Sequence, residues 1–209
     1  MKVGITGYHS DLEWIVDFFE VDAQDLDSQS TVHRRKVPAI LSANHFFFTH
    51  SDPEVFRDRI ELLAGSAEKI RARFCLLKLP PRFFERYRMD EVLGRFKEEW
   101  KCHTDLEFVV DLPQESPRSI MNRLPNHHKW SIDPLWRTPR KSKCWKVHGW
   151  HDARWIRMYA DSDLIRLAKC FQKLKPEFLI FGHSQRVVQI KQFLDLGGNL
   201  ADGKQQSPK

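Results

Sequence analysis

The chain repeats one alternation along its length: a short apolar run, then a longer stretch with helical spacing, then another run. Lys2 to Tyr8 is rich in β-branched residues, and Ser10 can cap a helix that carries Leu12, Ile15, Val16 and Phe19 on one face. A second run, Phe18 to Ala23, follows almost at once, and a third spans Val37 to Ala43. The polar stretch 24–36 between them has no clear period, so the helix expected there is missing or cut down. Asp52-Pro53-Glu54 sets a capping carboxylate before a proline at the first helical position, and Val55, Phe56, Ile60, Leu63 and Ile70 supply an apolar face. Further strands are predicted over Phe74 to Leu79, Leu106 to Leu112, His128 to Ile132, Lys143 to Val147 and Glu177 to Phe181. Helices are predicted over Met89 to Lys101, Pro117 to Leu124, Asp161 to Leu174 and Ser184 to Leu196, the last ended by Gly197-Gly198.

This makes eight strands, and none is joined to the next by a two-residue hairpin turn, so parallel pairing is implied. Eightfold β/α alternation is the signature of a closed TIM-type (β/α)8 barrel. That fold typically takes about 250 residues. The 209 present therefore require a compact version with short loops and a reduced second helix. An open doubly wound α/β sheet is the alternative, but neither GxGxxG after the first strand nor GxxxxGK[ST] occurs. Residues 1–196 are read as a single barrel domain and 197–209 as a disordered tail.

Composition agrees with one packed domain: 41% of residues are hydrophobic and 12% aromatic, apolar surface that a disordered chain lacks. The sequence holds no apolar run of membrane-spanning length and no signal-peptide core at its start, so a cytoplasmic protein without a membrane partner is expected. The four cysteines form no CxxC pair and read as buried reduced thiols. Net charge is +6 but unevenly spread. Residues 1–134 hold 19 Lys/Arg against 22 Asp/Glu, whereas residues 135–209 hold 15 against 6, which makes the last third +9. An anionic partner is one reason for such asymmetry.

Motifs at the strand ends resemble one known family. Val3-Gly4-Ile5-Thr6-Gly7-Tyr8 is similar to the "IGTSGW" opening of the YecE-like family, domain of unknown function 72. Leu41 to His45 with Thr49-His50 resembles its "VKAPR…ITH", Leu77 to Phe83 its "FQLPPRF", and Phe108 to Asp111 the place of its "AVEFRHP". Lys146-Val147-His148-Gly149 is similar to "VRLHG", followed by Tyr159-Ala160-Asp161, and Phe181-Gly182-His183 stands in the place of "YFNN". The resemblance implies a TIM-type barrel and a site location, but no established reaction. It also shows departures: Pro113-Gln114 for the family's Arg-His, Gly182-His183 for its Asn-Asn, and Ser42 for its third-strand Lys.

In such barrels ligands bind at the C-terminal ends of the strands. That rule selects Tyr8, Asp22, Gln24, Asn44, His45, Lys78, Asp111, Asp133, Lys146, His148 and His183. Asp111, Asp133 and His148 are the candidate catalytic residues, with burial raising and nearby lysines lowering the carboxyl pKa values. Asp111 also falls on the acidic position of the similar family. Tyr8, Gln24, Asn44, Lys78, Lys146 and His183 are the candidate ligand contacts, a lysine being suited to a phosphate or carboxylate. The competing reading is that these charges pair with one another as buried salt bridges. His45, His148 and His183 with an Asp oxygen make a divalent metal conceivable, but the local spacings are poor and no cofactor is expected. No GxSxG elbow or Cys/His arrangement supports acyl transfer.

The stretch Trp136 to Lys146, extended by Trp150, Arg154 and Trp155, has no acid between Asp133 and Asp152. Its cations and indoles suit phosphates and unpaired bases, although Trp145 falls within a predicted strand and is expected to be buried. The leading expectation is therefore a barrel that binds a phosphate-bearing ligand, a sugar phosphate or nucleic acid, at its C-terminal mouth, with hydrolase or isomerase chemistry if it is an enzyme. The alternative is a non-catalytic scaffold barrel with a degenerate site, motivated by Ser42, Pro113 and Gly182.

Overall fold

The structure, a computed structural model, describes residues 2–7, 16–25, 38–80, 83–112, 129–135, 142–148, 150–152, 155–157, 159–182 and 186–201. Its strands are β1 (Lys2–Thr6), β2 (Phe18–Asp22), β3 (Ala39–Asn44), β4 (Ala72–Lys78), β5 (Phe108–Asp111), β6 (Trp130–Ile132), β7 (Cys144–Val147), β8 (Trp150–Asp152), β9 (Trp155–Arg157) and β10 (Phe178–Phe181). All but β8 and β9 pair in parallel and close into an eight-stranded barrel in the order β1-β10-β7-β6-β5-β4-β3-β2. Each of the eight predicted strands is present. The helices are α1 (Pro53–Lys69), α2 (Phe83–Arg86), α3 (Met89–His103), α4 (Asp161–Leu174) and α5 (Arg186–Ala201).

Period-two alternation sorts every barrel strand into an inner and an outer row. The outer row packs under the helices: Ile5, Phe19, Val21, Leu41, Leu77, Val110, Trp145, Val147, Leu179 and Phe181 join Phe56, Ile60, Leu63, Phe96, Trp100, Leu167 and Phe171 in one large core. A second, separate cluster fills the barrel itself, made of Phe18, Ile40, Phe74, Leu76, Val109, Cys144, Phe178 and Ile180. Edge-to-face contacts of Phe178 with Phe18 (5.3 Å) and Phe74 (4.9 Å) tie this plug together. Gly4 makes room for it: a Cβ there would lie 2.5 Å from both the ring and the carbonyl oxygen of Phe18.

Local signals act as predicted at α1, where the Asp52 carboxylate accepts from the backbone N–H groups of Glu54 (2.9 Å) and Val55 (3.2 Å). Helix α4 spans the predicted residues, whereas α5 runs through the Gly197-Gly198 pair expected to end it and continues to Ala201. Helix α2 is a single turn that the sequence patterning did not announce. More consequential is the antiparallel pairing of β8 with β9, with Trp150 opposite Arg157 and Asp152 opposite Trp155, in a segment where no strand is predicted. The residues between, Ala153-Arg154, carry none of the Asn-Gly character that marks tight hairpins in a sequence, so the pairing has no local signal. The predicted helix after Pro117, the reduced segment 24–36 apart from Gln24 and Asp25, the final residues 202–209 and the helix after Ser10 up to Ile15 lie outside the described residues, and Phe19, expected on that helix, stands in β2. Of the cysteines expected to be buried, Cys75 and Cys144 are, and burial pushes both thiols far up; Cys170 is half-buried and Cys102 exposed. No helix of the described residues is long and apolar enough to cross a membrane.

Helix α4 ends on Lys175 at φ 48°, a left-handed position where its N–H reaches the Phe171 carbonyl at 2.8 Å. A Cβ is strained in that region and glycine is not. Lys175→Gly is expected to raise stability by about 0.5 kcal/mol and Lys175→Val to lower it by at least as much, read from urea midpoints at constant slope.

Candidate active site

Above the apolar plug, the same inner row turns polar on nearly every strand. Thr6, Glu20, Asp22, Ser42, Asn44, Lys78, Asp111, Ser131 and Lys146 continue the inward parity of Gly4, Phe18, Ile40, Leu76, Val109 and Cys144 toward the C-terminal ends. Asp111 stands in register with Lys78 on one side and Ser131 on the other, and Asn44 with Lys78. The barrel thus collects side chains from distant parts of the chain into one mouth.

The centre of this layer is Glu20, which is fully buried. One carboxylate oxygen accepts from the Thr6 hydroxyl at 2.6 Å, and the other accepts from the Lys146 ammonium at 2.6 Å with Lys78 at 3.4 Å. Burial alone pushes its pKa up, but the two ammonium groups and the hydroxyl outweigh it and hold the carboxyl far below the usual range. Lys146, whose side chain is 5% exposed, also lies 3.6 Å from Asp111 Oδ2. Its stem crosses Gly182, where a Cβ would approach Lys146 Cε to 2.8 Å. Lys78 donates to Asp22 at 2.9 Å, and its side chain remains 28% exposed toward the mouth. Burial disfavours its charge, yet Glu20, Asp22 and Asp111 together keep its pKa above the ordinary lysine value. The expected alternative of mutual pairing therefore holds for both lysines, and Lys146 is held wholly within the network.

Asp111 is buried, and burial raises its pKa, but Lys146 and then His148 more than offset this, so it is held below the ordinary aspartate value. Its Oδ1 faces His148 Nε2 at 3.7 Å, too far for a direct hydrogen bond. Both atoms are buried and have no hydrogen-bond partner among the described residues, and the same holds for Ser131 Oγ on the neighbouring strand. The His148 side chain is 23% exposed. Among the described residues of this network three carboxylates, Glu20, Asp22 and Asp111, face two ammonium groups.

Asp133 takes a different place. Its Oδ1 accepts from Leu135 N at 3.0 Å, and its Oδ2 accepts from His148 N at 3.0 Å and from the Tyr159 hydroxyl at 2.9 Å. Gln189 on α5 in turn grips the backbone of Tyr159 through two 2.8 Å hydrogen bonds. This brace fixes the backbone of His148. Asn44 spends its side-chain oxygen on Phe46 N at 3.0 Å, and Gln24 is exposed on a single 3-10 turn, its N–H donating to Asp22. Tyr8 and His183 lie outside the described residues, as do Trp136 to Lys141. Trp145 is buried against Phe171 under α4, as expected. Among the described residues no group of three His, Cys, Asp or Glu converges as a metal site.

Glu20 is absent from the residues picked by sequence. It sits in the middle of an apolar strand, Phe18-Phe19-Glu20-Val21, not at its end. A lone acid at the inward parity of Phe18 and Asp22 was the available signal.

Glu20→Gln leaves the buried Lys146 ammonium with the more distant Asp111 carboxylate alone and is expected to cost about 3 kcal/mol in chemical denaturation. The lowered folded pKa values of Glu20 and Asp111 give stability that is full above the unfolded carboxyl values and is lost as pH falls through the folded ones. Urea midpoints should therefore decline from about pH 4 downward. A midpoint flat to pH 2.5 would contradict the network.

No protein-family model and no curated protein sequence matches the chain. Similar solved structures do exist. A DUF72 family protein from Enterococcus faecalis V583 superimposes with a TM-score of 0.66 at 10% identity, over 100% of this chain and 98% of that one. A xylose isomerase domain protein from Planctomyces limnophilus gives 0.56 at 10% identity over 96% and 95%, and SacUVDE gives 0.58 at 10% identity over 96% and 99%. The TIM-type barrel is thus shared with these proteins along the whole chain, and the resemblance to domain of unknown function 72 is borne out in the fold.

Proposed function

We propose that the mouth performs acid/base chemistry on a phosphate-bearing ligand, with His148 transferring the proton and Asp111 orienting it. The observation that carries this reading is the facing of two buried, hydrogen-bond-deficient atoms, Asp111 Oδ1 and His148 Nε2, 3.7 Å apart at the strand ends. Unsatisfied buried polar atoms are costly in a structure that otherwise pairs its charges, and functional sites are where such costs are retained. Asp111 remains a carboxylate through the neutral range and so can orient and balance an imidazolium. His148 then donates a proton to a ligand oxygen, or in its neutral form removes one, the two halves of a hydrolase or isomerase step. A similarly folded protein bears the name xylose isomerase domain protein, which favours a polyhydroxylated substrate by analogy of fold.

The lysines take separate parts. Lys146 holds Glu20 and Asp111, and the partly exposed end of Lys78 meets the ligand. A phosphate therefore sits toward the rim, because the floor already matches its ammonium groups with carboxylates. Asp133 is a positioning residue for His148 through its hydrogen bond to the His148 N–H.

The self-paired lysines also favour the scaffold reading, and one experiment decides between them. Purified protein is assayed for turnover of a panel of sugar phosphates and nucleotides beside Asp111→Asn and His148→Gln, with folding checked by circular dichroism. Each variant is expected to lose about 10²- to 10⁴-fold in rate. Turnover equal to that of the native chain, or no ligand of the panel bound or converted, would leave the scaffold in its place.

A further inference from the structure

We infer that Phe46 is a stacking platform for a nucleobase on the rim of the mouth, which narrows the phosphate-bearing ligand to a nucleotide, free or within a single strand. The inference takes from the acid/base reading only that the mouth is where the ligand binds.

Phe46 lies in the 3-10 turn His45–Phe47 that directly follows β3, on the C-terminal face of the barrel. Its backbone is tied to the strand end by the hydrogen bond it donates to Asn44. Asn44 pairs with Lys78 and Lys78 with Asp111, so the turn begins two strands, about 10 Å, from the acid/base pair. Phe47 and Phe48 beside it are buried, yet Phe46 is 48% exposed. The other two large exposed apolar residues among those described, Leu62 and Val188, are aliphatic and sit on helices.

The ring is held, not loose. Arg59 on α1 sets its guanidinium 3.6 Å from the ring centroid and donates from Nη1 to the Phe46 carbonyl at 2.8 Å. Phe47 meets the ring edge-on at 5.7 Å. One side chain thus fixes both the backbone and one face of Phe46, which lowers the ordering cost of using the other face. It also sets what that face prefers. A cation on one side draws π density toward itself, leaving the outer face less negative. Such a face is a poor seat for a second cation or for sugar C–H groups, and a good one for another flat π system. Nucleobases offer that surface, and stacking on aromatics tolerates any base.

The probes are 2-aminopurine riboside 5′-monophosphate and a short single-stranded oligonucleotide carrying 2-aminopurine, added to the full chain. Fluorescence quenching by stacking is expected with at least one, and which one responds identifies the source of the base. Phe46→Ala, a surface change, should abolish quenching and weaken binding about tenfold or more, while Phe46→Trp preserves both. Ribose 5-phosphate should compete at least tenfold more weakly than adenosine monophosphate. Equal competition by the two, unchanged affinity in Phe46→Ala, or no quenching with either probe overturns the inference. His148→Gln separates the two readings: it should retain quenching while losing turnover, and full turnover with quenching intact would remove the acid/base role and leave the platform.

Discussion

The pairing of Glu20 with Lys146 inside the barrel is the interaction on which the mouth depends. Either charge alone would be intolerable in that position, because desolvating an ion costs several kcal/mol even after relaxation. Together, at 2.6 Å and with Thr6 as a third partner, they are satisfied, and they hold the adjoining groups in fixed charge states. Asp111 stays ionised because Lys146 is beside it, and Lys146 has room for its stem because residue 182 lacks a side chain. Gly182, a position where the similar family carries a polar residue, is thus better read as space for the lysine than as loss of function.

The same pair shows how far the sequence reading reached. Eight strands, their parallel order and the closed barrel all follow from the alternation of apolar runs, because strand period and helix period are distinct and the chain is consistent in using them. The mouth was located by the rule that strand ends carry function, and Asp111, Lys78, Lys146 and His148 do meet there. What that rule could not supply was which charges would be used up by one another. Asp133 reads from sequence as a second catalytic acid, but three hydrogen bonds to Leu135, His148 and Tyr159 occupy it. Two of those partners, His148 and Tyr159, lie 15 and 26 residues away in sequence, so the brace has no local signature.

Glu20 escaped for the opposite reason. It is not at a strand end, and an acid within an apolar run looks like an interruption until inward parity is applied across neighbouring strands. The pairing of 150–152 with 155–157 escaped because its strands are three residues each and the sequence between them, Ala153-Arg154, is ordinary. Both misses come from features whose meaning is set by partners, not by local pattern.

The apolar plug beneath the mouth has a consequence for traffic. Phe178 meets both Phe18 and Phe74 edge-on, so side chains fill the lower barrel and it offers no passage beneath the polar layer. The ligand proposed for the mouth would then have to enter and leave on the side of the C-terminal strand ends, and its release would limit how often the site could be used.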